Sequence, residues 1–146
     1  MKELADELRA EVHQAAEPLR AMGDDAAGSS RGSGRWVAKE ILGHLIDSAA
    51  NNHQRFIWAQ LVSPLELPDY DQEAWVTLQH YRQRPWAELV DLWMALNLHL
   101  AAVMEDVPAE RLQTPCRIGD GETSTLESWM RHYLEHLKHH LKQIGV

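Results

Sequence analysis

TSTLESWMRHYLEHLKHHLKQIGV, residues 123–146, is the stretch that decides how this chain folds. At about 100° per residue, Leu126, Trp129, Met130, Tyr133, Leu137 and Ile144 share one broad arc, with Leu134 and Leu141 at its margin. That period is helical and amphipathic, so the segment predicts a helix with one face against a core. Thr123 opens it, and Ser124 with Glu127 has the spacing of a capping box.

Four histidines recur on the same helix. His140 falls inside the apolar arc and His136 at its edge, one turn apart, so their side chains stack along one face. His132 and His139 lie further round, towards Arg131, Glu135, Lys138 and Lys142, and are expected in solvent. A histidine-rich terminal helix can be merely solvated, but here Leu, Trp, Met and Tyr interleave at a core-forming period.

A third imidazole comes from the stretch Trp36 to Val62, which has no Pro and only Gly43 as a helix-weakening residue. Val37, Ile41, Leu45, Phe56 and Ala59 define its inward face, and His44, Ser48, Asn51, Asn52 and Arg55 run along one edge of that face. Burying a polar group costs several kcal/mol unless it is paired or binds something, so a polar line on an apolar helix points to a lined cavity. A lone histidine there is more often a hydrogen-bonded core residue. The matching pair on the last helix makes a shared metal site the sharper expectation.

Two further helices complete the pattern: Lys2 to Met22, with Leu4, Leu8, Val12, Ala15 and Leu19 inward, and Pro85 to Asp106, with Leu89, Val90, Trp93, Leu96, Asn97, Leu100 and Met104 inward. Between them, GDDAAGSSRGSG (residues 23–34) reads as a polar connector too rich in Gly and Ser to pack. LPDYDQEAWV and VPAERLQTPCRIGDGE read as loops, and no strand-like alternation of useful length appears. Four such helices predict an all-α four-helix bundle with long connections, formed by residues 1–146 as one domain.

Composition bounds the function. The 146 residues are 45% hydrophobic, enough for a core without disulfides, and the one cysteine, Cys116, excludes an internal disulfide and fits a reducing compartment. The charged amphipathic N-terminus and the lack of any segment read as long and apolar enough for a bilayer lead us to expect a soluble, cytoplasmic protein. A net charge of −8 argues against nucleic acid as a partner. Cys116 has no catalytic base adjacent in sequence, and the six tryptophans share no spacing, so they read as packing groups.

The runs WVAKEILGHLIDSAANNHQRF, PDYDQEAWV and TLESWMRHYLEHLKHHLKQI, in this order, resemble the DinB/YfiT-like superfamily of small metal-binding four-helix proteins. Gly43 to Ser48 (G-H-x-x-D-S) and His136 to His140 (H-x-x-H-H) are the most specific parts. The resemblance implies a divalent-metal site built from His44, His136 and His140, although the H-x-x-H-H run also offers His139. It further implies thiol S-transferase, isomerase or hydrolase chemistry, with a low-molecular-weight thiol as co-substrate, and it places Tyr70, Asp71 and Trp75 near the mouth of the site.

Three neutral imidazoles would leave Zn²⁺ or Ni²⁺ with open positions, the layout of a catalytic site. Asp47, one turn from His44, is a candidate to orient that imidazole. Asn51, Asn52, Arg55 and Asn97 are candidates to position a polar or anionic small-molecule substrate. Leu42, Ile46, Ile57, Trp58 and Leu61 lie off the His44 edge, and this apolar surplus predicts a homodimer. The contrasting expectation is a non-catalytic helical-bundle module, which would show a filled coordination shell or no pocket beside the histidines.

Overall fold

In the computed structural model, which describes residues 1–146, the three- and four-residue steps of the sequence become buried stripes. Leu4, Leu8, Val12, Ala15 and Leu19 are all buried on helix α1 (Lys2–Ala21). Val37, Ile41, Leu45, Phe56 and Ala59 are buried on or just before α3 (Ala38–Leu61). Helix α5 (Trp86–Glu105) buries Leu89, Val90, Trp93, Asn97, Leu100 and Met104, and α6 (Leu126–Ile144) buries Met130, Tyr133, Leu134, Leu137 and Leu141. These four long helices form the bundle. Helices α1 and α3 both pack against α5 and α6, so the first two long helices of the chain stand diagonally and not side by side. The long connections make that order possible.

The connectors hold more structure than their composition suggests. Residues 24–28 form a one-turn helix, α2 (Asp24–Gly28), with Ala27 fully buried. Asp24 fastens it, pairing with the buried Lys39 ammonium at 2.8 Å and accepting the Trp86 backbone N–H at 2.7 Å. Gly and Ser therefore did not prevent packing, because tertiary partners supplied what local propensity lacked. The PDYDQEAWV segment likewise contains a short helix, α4 (Gln72–Leu78), capped by Asp71, whose carboxylate accepts the Ala74 N–H at 3.0 Å.

A small sheet also departs from the all-helical reading of the loops. Strand β1 (Leu65–Leu67) pairs in parallel with β2 (Pro115–Ile118), which pairs antiparallel with β3 (Ser124–Thr125). Strands this short leave too little alternation to read. Their effect is to tie the two long loops together at one end of the bundle. The last helix begins later than expected: Ser124 is in β3, and Thr125 caps α6 by accepting the Ser128 N–H at 3.2 Å.

Two further expectations need correction. Leu42 and Ile46 are buried within the chain itself, because α3 is covered by α5, α6 and the Tyr81–Gln83 turn; only Ile57, Trp58 and Leu61 of the surplus set remain exposed. Helix α5 is long and apolar enough to cross a membrane by length and composition alone. Its inward residues pack between α1 and α3, the place of a core helix.

Candidate metal centre

Helix α3 brings His44 to the bundle interior, and α6 presents His136 and His140 from one turn to the next. His136 Nε2 lies 3.0 Å from His44 Nε2 and 3.1 Å from His140 Nε2. Ring nitrogens of all three lie within 4.8 Å of one another. At the bond lengths of about 2.0–2.1 Å that imidazole makes to zinc, tetrahedral ligand nitrogens stand roughly 3.3 Å apart, so the spacing suits one small cation. His139 is not part of this group: it is exposed and its Nε2 faces the Gln143 side-chain amide at 3.2 Å.

Electrostatics keep the three rings in the ligating form. Burial, reinforced by the neighbouring His140, lowers the pKa of His44 to about 4. Burial and the same neighbour lower His136 to about 3, and burial lowers His140 too, against a Gln143 contact that raises it. Three neutral imidazoles whose Nε2 atoms point at one another cannot all be satisfied by mutual hydrogen bonds, since each ring carries one N–H. A shared cation would accept all three lone pairs. Behind the rings, Nδ1 of His44 and of His136 is buried without a protein partner, whereas His140 Nδ1 meets Gln143 Oε1 at 2.8 Å.

Two cavities flank the histidines. One, of about 320 Å³, opens beside His136 and is bordered by Ser48, Asn52, Arg55, Tyr70 and Trp129. The Arg55 side chain is only 12% exposed, so its charge is held close to the cavity wall: it pairs with Asp69 at 2.9 Å and lies 5.8 Å from the Tyr70 ring and 5.7 Å from the Trp129 ring. Such stacking fixes a guanidinium in one orientation before any ligand arrives. Tyr70 is itself half-buried, and burial raises its pKa to about 12, so its hydroxyl is a donor at neutral pH. The second cavity, of about 340 Å³, lies on the His140 side.

Of the residues expected to line the site, Ser48, Asn52, Arg55 and Tyr70 do so, and four do not. Asp47 is buried but turned towards the segment after α4, where its Oδ1 accepts the Tyr81 hydroxyl at 2.7 Å and the Gln79 amide at 2.6 Å; it makes no hydrogen bond to His44. Asn51 donates back to the Asp47 carbonyl, one turn up its own helix. Asn97 is fully buried, donating to the Trp93 carbonyl and accepting the Tyr133 hydroxyl across the bundle. Asp71 is spent on the α4 cap. His99 is exposed, and its ring lies tilted beside that of His53 at 5.2 Å, outside the triad.

Other neighbours were not singled out from the sequence. Trp36 places its ring 5.2 Å from that of His44, and Gln143 bonds His140. Gln143 was discoverable, since it stands three residues from His140 on the same helix. Trp36, Arg31 and Arg35 reach the site through a connector whose path no periodicity encodes. His132 is exposed, as its angle implied, yet it borders the cavity on the His136 side.

Comparison with known proteins gives the same fold. The family model of the DinB superfamily matches residues 3–144. YfiT of Bacillus subtilis (strain 168) is 24% identical over 143 residues, which cover 97% of this chain and 79% of YfiT. Its solved structure superposes with a TM-score of 0.80, covering 98% of this chain and 81% of that one, and is described as a probable metal-dependent hydrolase with an unusual four-helix bundle topology. A protein of Geobacillus thermodenitrificans (strain NG80-2) bearing the same hydrolase designation is 23% identical over 145 residues, 99% of this chain and 78% of its own. The crystal structure of a mycothiol-dependent maleylpyruvate isomerase matches at a TM-score of 0.78 and 14% identity, covering 99% of this chain and 60% of that one.

Proposed function

Because the chain belongs to the DinB superfamily, we propose that it is a metal-dependent enzyme of thiol S-transferase or hydrolase type, acting on a small molecule. His44, His136 and His140 hold one divalent ion, Zn²⁺ or Ni²⁺ being the best suited to three imidazoles. The observation that carries this reading is the convergence of three neutral ring nitrogens between two cavities. A closed structural site would need a fourth protein ligand, and no carboxylate or thiolate joins the cluster.

When bound, such an ion lowers the pKa of a water or thiol in its open position and so supplies a nucleophile at neutral pH. The chain's own residues do the rest. Arg55, braced by Asp69, Tyr70 and Trp129, binds an anionic group of the substrate and orients it towards the His136 side. Ser48 and Asn52 add polar contacts, and the Tyr70 hydroxyl donates from the rim. The names of the relatives support both chemistries, hydrolysis through YfiT and thiol dependence through the isomerase. We further propose that the protein is a cytoplasmic homodimer joined through Ile57, Trp58 and Leu61 of α3.

The test is metal analysis of the untagged protein, followed by conjugation of an electrophile with glutathione, bacillithiol or mycothiol, and in parallel by hydrolysis of simple esters and amides. Activity that is lost with a chelator and restored by Zn²⁺ or Ni²⁺ supports the enzyme. Absence of bound metal after loading overturns it.

A further inference from the structure

The cavity on the His140 side is walled by Arg31, Arg35, Trp36, Ile41, Glu73 and Gln143. We propose that Arg31 and Arg35 form a carboxylate subsite that seats a small monoanionic ligand with an apolar stem against the His140 face of the triad. It rests on the reading of the triad as the reaction centre, and it gives that centre a second chamber distinct from the one beside Arg55.

Charge and shape select the ligand. Two guanidiniums and one carboxylate, Glu73, line the chamber, so its own side chains carry a net positive charge, to which an ion on the triad adds; a carboxylate on an apolar stem meets both that charge and the apolar floor, whereas inorganic phosphate has no stem to cover it. The Trp36 ring and Ile41 supply an apolar floor for a short stem, and a volume of about 340 Å³ is near the lower end of ligand cavities, roughly 300–1,000 Å³. Neither arginine makes an ion pair with an acidic residue, in a chain of net charge −8. Arg35 makes one long bond, 3.5 Å, to the Arg31 carbonyl, so its fork is free. The Arg31 guanidinium donates to the Gln143 backbone carbonyl, which fixes the connector to the end of α6. Since the Gln143 side chain bonds His140 Nδ1, the chain Arg31–Gln143–His140 links the subsite to the triad.

The ¹⁵N spectrum of metal-loaded protein, in which Trp36 has its own indole signal assigned with Trp36→Phe, tests the subsite. Titration with butanoate should shift that signal saturably, leave the Trp129 indole in place, and bind more tightly than inorganic phosphate or n-butylamine. Charge-assisted hydrogen bonds to two guanidiniums are strong enough that Arg31→Gln/Arg35→Gln should weaken butanoate by roughly tenfold or more, with Arg31→Lys/Arg35→Lys in between. Arg20→Gln, at a surface pair with Asp91, should change nothing. Undiminished affinity in the Gln variant, a shift at Trp129 in place of Trp36, or tighter binding of phosphate would overturn the proposal. Metal content of the same samples separates the two readings: Arg-dependent butanoate binding without retained metal would sink the triad and keep the subsite, and stoichiometric metal without butanoate binding would do the reverse.

Discussion

His136 Nε2 stands 3.0 Å from His44 Nε2 although 92 positions separate them in the chain, and His140 Nε2 closes on the same point from one turn away. Removing any of these nitrogens leaves two ligands, too few to hold an ion against buffer. His44→Ala, His136→Ala and His140→Ala should each reduce bound metal to background in plasma mass spectrometry of the untagged protein. His99→Ala, His132→Ala and His139→Ala should retain it. Stoichiometric metal in His140→Ala would pass the ligand role to His139.

Burial holds the His44 pKa at about 4 in the folded chain, and the unfolded chain takes up that proton near about 6.5. The lowered value belongs to a base, so between those pH values the unfolded state binds more protons and gains on the folded one. Stability of the metal-free protein should therefore be full above about pH 6.5 and fall towards pH 4, by roughly 3 kcal/mol from this residue at about 1.4 kcal/mol per pKa unit. Chelator-treated protein melted at pH 7.5 and 4.5 measures it, against His44→Gln as the control whose loss should be smaller. Identical losses in both would remove His44 as the cause. Any metal-dependent increment should shrink over the same range, because protons compete for the ligands.

The four long helices and the triad were legible because both follow one rule, the angular spacing of side chains on a helix. That rule places Leu45 or His140 on a face but does not say which neighbour covers the face. Asp47 shows the consequence: its position one turn from His44 was read correctly, yet the Tyr81 hydroxyl and Gln79 amide, brought in by the α4 segment, claim its carboxylate. Leu42 and Ile46 looked surplus for the same reason, since a helix wrapped on several sides buries more than one stripe. Strands β1 to β3 and helix α2 were hidden because their stability comes from pairing partners remote in sequence, such as Leu65 with Cys116 and Asp24 with Lys39.

Gly43 offers a test of packing at the back of the site. A Cβ built there would lie 2.2 Å from Tyr81 Cδ2, so alanine forces the ring to move. Alanine favours a helix over glycine by about 1 kcal/mol, but overpacking costs about 1–3 kcal/mol, and displacing Tyr81 also breaks its bond to Asp47. Gly43→Ala should be destabilising by roughly 1–3 kcal/mol in urea unfolding. A variant as stable as the parent would mean that the Tyr81 turn yields freely.

Tyr81→Phe isolates the hydroxyl. Asp47 is buried, its Oδ2 has no protein partner, and burial already raises its pKa against the hydrogen bonds that lower it. Losing the Tyr81 donor leaves Gln79 alone on Oδ1 and should cost about 1–3 kcal/mol, with the Asp47 pKa rising further. Because no bond joins Asp47 to His44, metal content should be unchanged. Loss of metal in Tyr81→Phe would restore Asp47 to the role of orienting the imidazole.

Trp58 is 47% exposed and Leu61 66% exposed, on the same stretch of α3 as Ile57, about four turns along the helix from His44. Apolar groups clustered at one end of a helix favour burial against a copy of themselves, for which a two-fold contact is the simplest closed form. The α4 segment leaves Trp58 and Leu61 uncovered, so it does not relieve the patch. Sedimentation of the parent should give a dimer, and Trp58→Glu/Leu61→Lys a monomer with its metal content intact, since both positions are remote from the histidines. A parent that sediments as a monomer at every concentration would reject the interface.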